Sequence, residues 1–307
     1  MGENKKQHVV PKFYLKGFAD YNNKIYQFSL KTGKRCIVDI KDACTRNYFF
    51  DIGPEENHAF EKKLSVFERR QDKFLQKFLD DVRQFKCDLS NYSVRFELIS
   101  FMTFMHLRSF KTRDNTNRAM EKVLDKSINL FLSHNKVEIP TGFSSTFPSF
   151  HAKLTKEGEA MWHRAVIEDD KRISEYLCKN DFFHVYCIKK NKNVGWKSSF
   201  YTSDNPVWFE CMEDTGPYGI GLLTPGVVFI MPLAHDVLLL VGDAYYKKQL
   251  GFNDYCDVTY LSTVDERASC DYIKFLNTKL VLSAKDAVFS FDSNLSLARM
   301  IYNKSLH

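Results

Sequence analysis

The feature that most constrains the fold of this sequence is a long middle stretch with helical periodicity, between two stretches that alternate like β-strands. In residues 56–86 large apolar side chains recur at close to a 3.6-residue period, at Phe60, Leu64, Phe67, Phe74, Phe78 and Val82. That period predicts one long amphipathic helix. Further helices are predicted over 91–113, which is apolar on more than one face and therefore central, over 115–134 and over 156–179. Proline, glycine and serine in 135–155 indicate a loop.

The strand-like segments lie before and after these helices. Residues 25–30 and 36–40 alternate around a turn and predict a hairpin, and Tyr48–Phe50 predict a short third strand. Later strand-like segments, with short loops that favour antiparallel pairing, are 182–189, 199–202, 227–232 and 237–241, and helices are predicted over 258–283 and 295–302. We therefore expect an α+β fold, in which antiparallel strands from both ends of the chain pack on a layer of long helices from the middle.

Composition supports a packed protein and limits its partners. Hydrophobic residues make up 44% of the 307 residues and aromatic residues 15%, which is enough for a core. We expect a single domain over 1–307, with the helical layer at about 56–179 and a strand-rich part at about 181–307. The net charge of +6 permits binding of a nucleic acid or nucleotide without indicating it, and a protein partner or homo-oligomer stays open.

The cysteines and the first residues bear on the compartment. The eight cysteines include no CxxC pair, and the sequence begins with polar residues. We therefore expect reduced thiols, no secretion signal and a cytoplasmic protein. No apolar run approaches the roughly 18 residues of a membrane helix, so no membrane partner is expected.

Common nucleotide and hydrolase motifs are absent from the sequence, including GxGxxG, the Walker A motif, HExxH and GxSxG. The first of the scattered polar candidates is His8, three residues before Pro11 and ahead of Phe13, Leu15 and Phe18. Proline restricts its own φ and the residue before it, so we expect His8 to be anchored close to the helical layer. It is either a hydrogen-bonded core histidine or a general acid or base.

Two glutamates and an arginine are further candidates. Glu61 and Glu68 are seven residues apart, which places them on one helix face beside the apolar stripe. They are either surface carboxylates or, with a raised pKa, an acid, a base or metal ligands. Arg108 lies in a very apolar helix and needs an anionic partner when buried. We expect that partner to be Glu61, Glu68 or Asp204, or a phosphate or carboxylate of a ligand.

The last candidates end a predicted strand. In the run Thr202-Ser203-Asp204-Asn205-Pro206-Val207 every polar residue before the proline prefers turns. Turn chemistry alone accounts for Asp204 and Asn205, although polar groups at a strand end are also common in active sites.

In this order the features resemble a mainly bacterial family, domain of unknown function four-two-three-eight. The resemblance covers roughly residues 7–290. The matching residues are His8–Leu15, Tyr48-Phe49, Glu61, Glu68, Arg108 with Met105 where Gln is more usual, Thr202–Val207 and Pro232-Leu233. The family has no established activity. The resemblance implies that His8, Glu61, Glu68, Arg108, Asp204 and Asn205 share a pocket, and it associates the chain with mobile-element and phage-defence contexts.

Three functions fit these residues. The leading hypothesis is a metal-assisted or general acid–base hydrolase, above all a nuclease or phosphodiesterase, acting as a phage-defence or toxin effector. His8 is then the base or acid, Arg108 stabilises phosphoryl charge, and Glu61, Glu68 and Asp204 hold Mg²⁺ or Mn²⁺ or position water. The second hypothesis is a non-catalytic binding module with a buried polar network. The third is a nucleotide or NAD-type glycohydrolase, in which a glutamate supports an oxocarbenium-like transition state.

Overall fold

A computed structural model describes most of the chain. The described residues are 6–50, 54–134, 153–168, 170–189, 199–213, 220–249, 251, 256–261 and 266–305. Most of the predicted loop over 135–155 therefore lies outside them.

Helices fill the middle of the chain, as the periodicity predicts. They are α2 (Pro54–Arg83), α3 (Tyr92–Leu107), α4 (Phe110–His134), α5 (Lys156–Glu168) and α6 (Asp170–Asn180). A short helix α1 (Lys12–Leu15) precedes them, and α7 (Glu266–Ser283) and α8 (Ser296–Ser305) come late. Helix α3 is the central one, because its residues from Leu98 to Met105 are all buried.

The strands come from both sides of these helices. They are β1 (Lys6–His8), β2 (Lys24–Ser29), β3 (Arg35–Asp39), β4 (Thr45–Asn47), β5 (Asp181–Ile188), β6 (Thr202–Ser203), β7 (Trp208–Cys211), β8 (Val227–Ala234), β9 (Val237–Asp243), β10 (Cys256–Leu261) and β11 (Ala287–Ser290). In the described residues they form a five-stranded sheet β10-β5-β9-β8-β7, a four-stranded sheet β3-β2-β11-β6 and the pair β1-β4. Most pairs are antiparallel, so the α+β class is confirmed.

The largest hydrophobic core lies between the helices and the five-stranded sheet. Strand β8 is buried along its whole length, and α2 and α3 contribute Phe78 and Phe101 to the same core. The four-stranded sheet joins the two ends of the chain, because β11 pairs with both β2 and β6. All eight cysteines are free thiols. None of the described helices has the length and apolar character to cross a membrane.

Two predicted strand positions were wrong. Tyr48–Phe50 form a turn, and the strand is β4, three residues earlier, paired with β1. Tyr48 has a left-handed backbone with φ of 56°, which ends the strand. The first residues of the helix predicted over 258–283 belong to strand β10, and the helix α7 is described from Glu266. That strand pairs with β5 in parallel, against the antiparallel expectation.

One helical prediction was also wrong in detail. The helix predicted over 91–113 is interrupted at Arg108 and Ser109, because Ser109 Oγ accepts a hydrogen bond from Thr112 N (3.2 Å) and so caps the start of α4. Pro11, with φ of −60° and ψ of 143°, stands immediately before the short helix α1.

Candidate functional site

The segment that carries His8 is anchored as predicted. Leu15 and Phe18 are fully buried, and Phe13 packs against Phe101 with 5.6 Å between ring centroids. The buried hydroxyl of Tyr14 adds a polar attachment. It donates to Pro232 O and accepts from Thr202 Oγ1, both at 2.7 Å. This links the N-terminal segment to β8 and to β6.

His8 itself is half-buried at the end of β1. Its Nε2 lies 3.4 Å from Ile40 O, and because a carbonyl can only accept, Nε2 carries the proton of the neutral ring. Nδ1 is left with the lone pair. Burial, with the positive charge of Lys12, lowers the pKa of His8 below its ordinary value of 6.5. At neutral pH the side chain is therefore uncharged and able to accept a proton.

Arg108 connects this segment to α2 from the interior. Its side chain is 2% exposed; Nη1 donates to Glu68 Oε1 at 2.6 Å, and Nη2 donates to the backbone oxygen of His8 at 2.5 Å. The acidic partner expected for Arg108 is thus Glu68. With both terminal nitrogens occupied, Arg108 fixes the position of His8 relative to Glu68, and does not line the cleft described below.

Glu61 lies on the same helix but in different surroundings. Its Oε1 accepts from Gln7 Nε2 at 3.1 Å, and Gln7 Oε1 in turn accepts from Phe50 N at 2.7 Å. Burial raises the pKa of Glu61. Glu61 and Gln7 therefore connect α2, β1 and the turn at Phe50. Gln7 is the residue before His8.

The turn at Tyr48–Phe50 is held by two more arginines. Arg113 donates to Phe49 O and Arg164 to Phe50 O. The left-handed Tyr48 precedes two buried aromatic residues. Backbone in sparsely populated conformations persists where its surroundings fix it, and here the arginines and Gln7 do so.

His8 and Glu68 line one open cleft of about 550 Å³ between α1, the loop after β3 and α2. Most other charged residues of this cleft are basic: Lys12, Lys16, Lys41 and Arg69, against Asp39 and Asp72. Asp39 pairs with Lys24 and Lys41. Lys12, Lys16 and Arg69 have no ion-pair partner among the residues that the structure describes. The cleft therefore presents three cations without ion-pair partners, against one such carboxylate, Asp72, beside a neutral imidazole. This excess of positive charge suits an anionic ligand.

Asp204 and Asn205 are used elsewhere. Both are buried at the end of β6. Asp204 Oδ1 accepts from Lys285 N at 2.9 Å and Oδ2 from Asp286 N at 2.6 Å, and burial raises its pKa to about 6. Asn205 Nδ2 donates to Ser283 O at 3.1 Å. The two side chains close the turn between α7 and β11, and neither lines the cleft.

The predicted metal ligands are not brought together. No group of three or more His, Cys, Asp or Glu side chains is placed to hold a metal ion in the part of the chain that the structure describes. Asp204 is occupied by two backbone amides, and Glu68 and Glu61 have Arg108 and Gln7 as partners. The structure therefore does not support one metal set made of Glu61, Glu68 and Asp204, and the expected Mg²⁺ or Mn²⁺ dependence stays a prediction.

The sequence analysis missed several residues of this region. Gln7 stands next to His8 and alternates with it across β1, which was a usable signal. Lys12 and Lys16 are four residues apart, the spacing at which side chains share a helix face. Arg69 follows Glu68 directly and carried no signal of its own, because its place in the cleft depends on the packing of α1 against α2.

Comparison with known proteins identifies a family and no activity. The sequence profile of the family described as Protein of unknown function (DUF4238) matches residues 6–293. No curated protein and no solved structure matches the chain. The match begins in β1 and ends after β11, so it takes in the cleft, the Arg108–Glu68 pair and the Asp204 turn. The chain belongs to the DUF4238 family.

Proposed function

We propose that the cleft beside His8 binds a phosphate group, and that the protein is an acid–base hydrolase of phosphate esters, with nuclease or phosphodiesterase as the leading form. The observation that carries the proposal is the combination of a neutral, anchored imidazole with three unpaired cations in one open cleft. Phosphate esters need positive charge to offset that of the transferring group, and water needs a base.

Each residue then has a distinct part in the reaction. His8 Nδ1 accepts a proton from water while the water oxygen forms a bond to phosphorus. The bond from phosphorus to the leaving oxygen breaks, and the proton held by His8 passes to that oxygen. Lys12, Lys16 and Arg69 offset the phosphoryl charge. Arg108 is a positioning residue, since it holds the backbone of His8 and the carboxylate of Glu68 without lining the cleft.

The proposal assigns no step to a metal ion, because the carboxylates suggested as ligands have other partners. A divalent cation remains a variable of the experiment. Supply of Mg²⁺ or Mn²⁺ tests whether carboxylates at the cleft, such as Glu68 and Asp72, take up an ion when phosphate is present.

A second function is favoured by the buried residues. Arg108, Asp204 and Asn205 are all at most 3% exposed and bonded to backbone groups. This supports a non-catalytic module in which a polar network fixes helices against the sheets. Under this alternative the cleft binds a ligand or partner without turnover.

The test is hydrolysis by purified protein of a panel of RNA, DNA, nucleotides and NAD, with and without Mg²⁺ or Mn²⁺. We expect His8→Ala to lower the rate at least about 100-fold, the usual contribution of a general base, with its melting temperature within a few degrees of wild type. Lys73→Ala is the matched control, since Lys73 is exposed on α2 and does not line the cleft. Because the pKa of His8 is below 6.5, the acid limb of the rate profile is expected below pH 6.5.

Two results would contradict the enzyme. One is a folded His8→Ala variant that keeps wild-type activity. The other is a wild type inert on the whole panel, which favours the binding module.

A further inference from the structure

The phosphate-binding cleft continues along α2 into a second cavity. This side pocket has a volume of about 340 Å³ and shares Phe13, Lys16 and Asp72 with the cleft. Together the two cavities form one groove between the N-terminal segment and α2, bordered by Ser65 at one end and Arg83 at the other. At 1.5 Å per residue that part of α2 is about 27 Å long, more than one phosphate group occupies.

The two halves of the groove differ in chemistry. The cleft has the unpaired cations Lys12, Lys16 and Arg69. The side pocket has apolar residues, Leu75, Leu79 and Leu233, with polar groups at its rim. Phe13 lies where the halves meet and is only partly buried. A ligand that fills both halves therefore has an anionic group next to an apolar or aromatic one.

Apart from Lys16, which it shares with the cleft, the side pocket has no unpaired lysine or arginine among its described residues. Arg83 at its rim is bonded to Asp236 through Nε at 2.9 Å and Nη2 at 2.8 Å. Gln76 at the rim is uncharged, and Asp72 and Asp80 are acidic. A second phosphate is therefore not favoured there, whereas an uncharged flat group is.

We infer that the groove binds single-stranded nucleic acid, with a backbone phosphate in the cleft and an adjacent base in the side pocket against Phe13. This inference rests on the proposed function and names its substrate class. Phosphates alternate with bases along a strand, which matches the order of cationic and apolar surface on α2. In a single strand the base is unpaired and free to leave the backbone line, whereas in a duplex it is stacked and paired.

Binding separates this inference from the catalytic proposal. The probes are a fluorescein-labelled ten-nucleotide oligodeoxyuridine, an abasic strand of equal length, the corresponding duplex and an oligoglutamate peptide. The protein is full-length His8→Ala, so that no probe is consumed, and binding is followed by fluorescence anisotropy. Stacking of a base on an aromatic ring predicts that the oligonucleotide binds about ten-fold more tightly than the abasic strand.

Variants assign that preference to the groove. Ala19→Phe fills the side pocket, which Ala19 lines, and should reduce oligonucleotide affinity to that of the abasic strand without weakening the latter. Phe13→Leu is the second variant should Ala19→Phe fail to fold, because it removes the ring on which the base stacks without changing the charge, and the same loss of preference is expected. Arg69→Ala should weaken both strands, and Lys77→Ala, which is exposed on α2 outside the groove, should change neither.

The possible outcomes are distinct. Equal affinity for the base-bearing and abasic strands overturns the inference, but does not affect the proposal that the cleft binds phosphate. If neither the base-bearing nor the abasic strand binds, the proposal that the cleft binds phosphate is overturned as well. Tightest binding of the duplex or of the acidic peptide overturns the single-stranded assignment.

Discussion

The side chain of Arg108 is held in place both by burial and by contacts with three neighbouring groups. It is almost fully buried, it bonds one carboxylate and one backbone carbonyl, and its guanidinium lies 4.8 Å from the ring centre of Phe104. Removal of one member of a buried pair leaves the other without compensation, which costs more than the net contribution of the pair. Arg108 and Glu68 therefore affect stability as well as any activity.

We predict that Arg108→Ala lowers the free energy of unfolding by about 3–5 kcal/mol. Glu68→Gln should cost a similar amount, because it leaves the guanidinium of Arg108, which is 2% exposed, without its counter-charge. Urea denaturation measures both. Arg69→Ala is the matched control, since Arg69 is exposed, and should change the free energy by less than about 0.5 kcal/mol. A similar small change in Arg108→Ala would show that the buried pair does not hold His8.

His8 is the cleaner probe of chemistry, because only its backbone oxygen contacts Arg108. Truncation of its imidazole leaves that bond in place. Loss of activity in Glu68→Ala, by contrast, has two causes that an activity assay alone does not separate.

At the scale of elements, the turn after β6 shows how a motif that resembles an active site serves the fold. Asp204 accepts from two successive backbone amides, those of Lys285 and Asp286, which precede β11. Thr202 contacts Tyr14 near the start of the chain. One short run of residues therefore joins the N-terminal segment, α7 and β11.

We predict that Asp204→Asn destabilises the protein by about 1–3 kcal/mol, because an amide has one acceptor oxygen and leaves one of the two backbone amides without a partner. Thermal or urea unfolding measures the change. Asp257→Asn, an exposed acid on β10, is the control and should have little effect. Wild-type stability in Asp204→Asn would mean that the turn does not need both acceptors.

The elements that the sequence predicts are those whose signal is local. The period of apolar residues suffices for α2, and alternation around a turn suffices for the β2–β3 hairpin. Strand β10 was missed because its pairing with β5 lies far away in sequence. The interruption at Ser109 was missed because the apolar pattern continues through it, and only the cap shows the break.

At the scale of the whole molecule, buried titratable side chains affect how the stability of the protein changes with acid. His163 is fully buried, with Nε2 2.7 Å from Leu107 O, and burial lowers its pKa from 6.5 to about 4. Between these values the unfolded chain binds a proton that the folded chain does not bind, so acidification favours unfolding. Asp204 acts in the opposite direction, since its raised pKa favours the folded state on acidification from about 6.

We predict that His163 lowers the free energy of unfolding by a contribution on the order of 3 kcal/mol as the pH falls from 6.5 towards 4. The His163→Gln variant keeps an amide donor for Leu107 O and cannot titrate. In this variant, that part of the pH dependence of the free energy of unfolding should disappear. Urea titrations at several pH values measure it. An unchanged slope in the variant would show that His163 does not control acid stability.

The candidate site could be predicted only in part. His8, Glu68 and the need of Arg108 for an acid follow from proline stiffness, helical spacing and the cost of a buried charge. The cleft itself does not, because Lys12, Lys41 and Arg69 meet through the packing of separate elements. Asp204 and Asn205 carry the same polar signal as His8, and only the contacts of their side chains show that they stabilise a turn.

The four-stranded sheet has a consequence for how the protein is made. Its strands β2 and β3 leave the ribosome well before β11, yet Ser29 of β2 pairs with Ala287 of β11. The hairpin therefore lacks its neighbouring strand until β11 has been synthesised, and contacts so distant in sequence form slowly. Tyr14 likewise forms its hydrogen bonds only after Thr202 and Pro232 have been synthesised. The side pocket is lined by Leu233 and His235, so a nascent chain that ends before Leu233 lacks part of the groove.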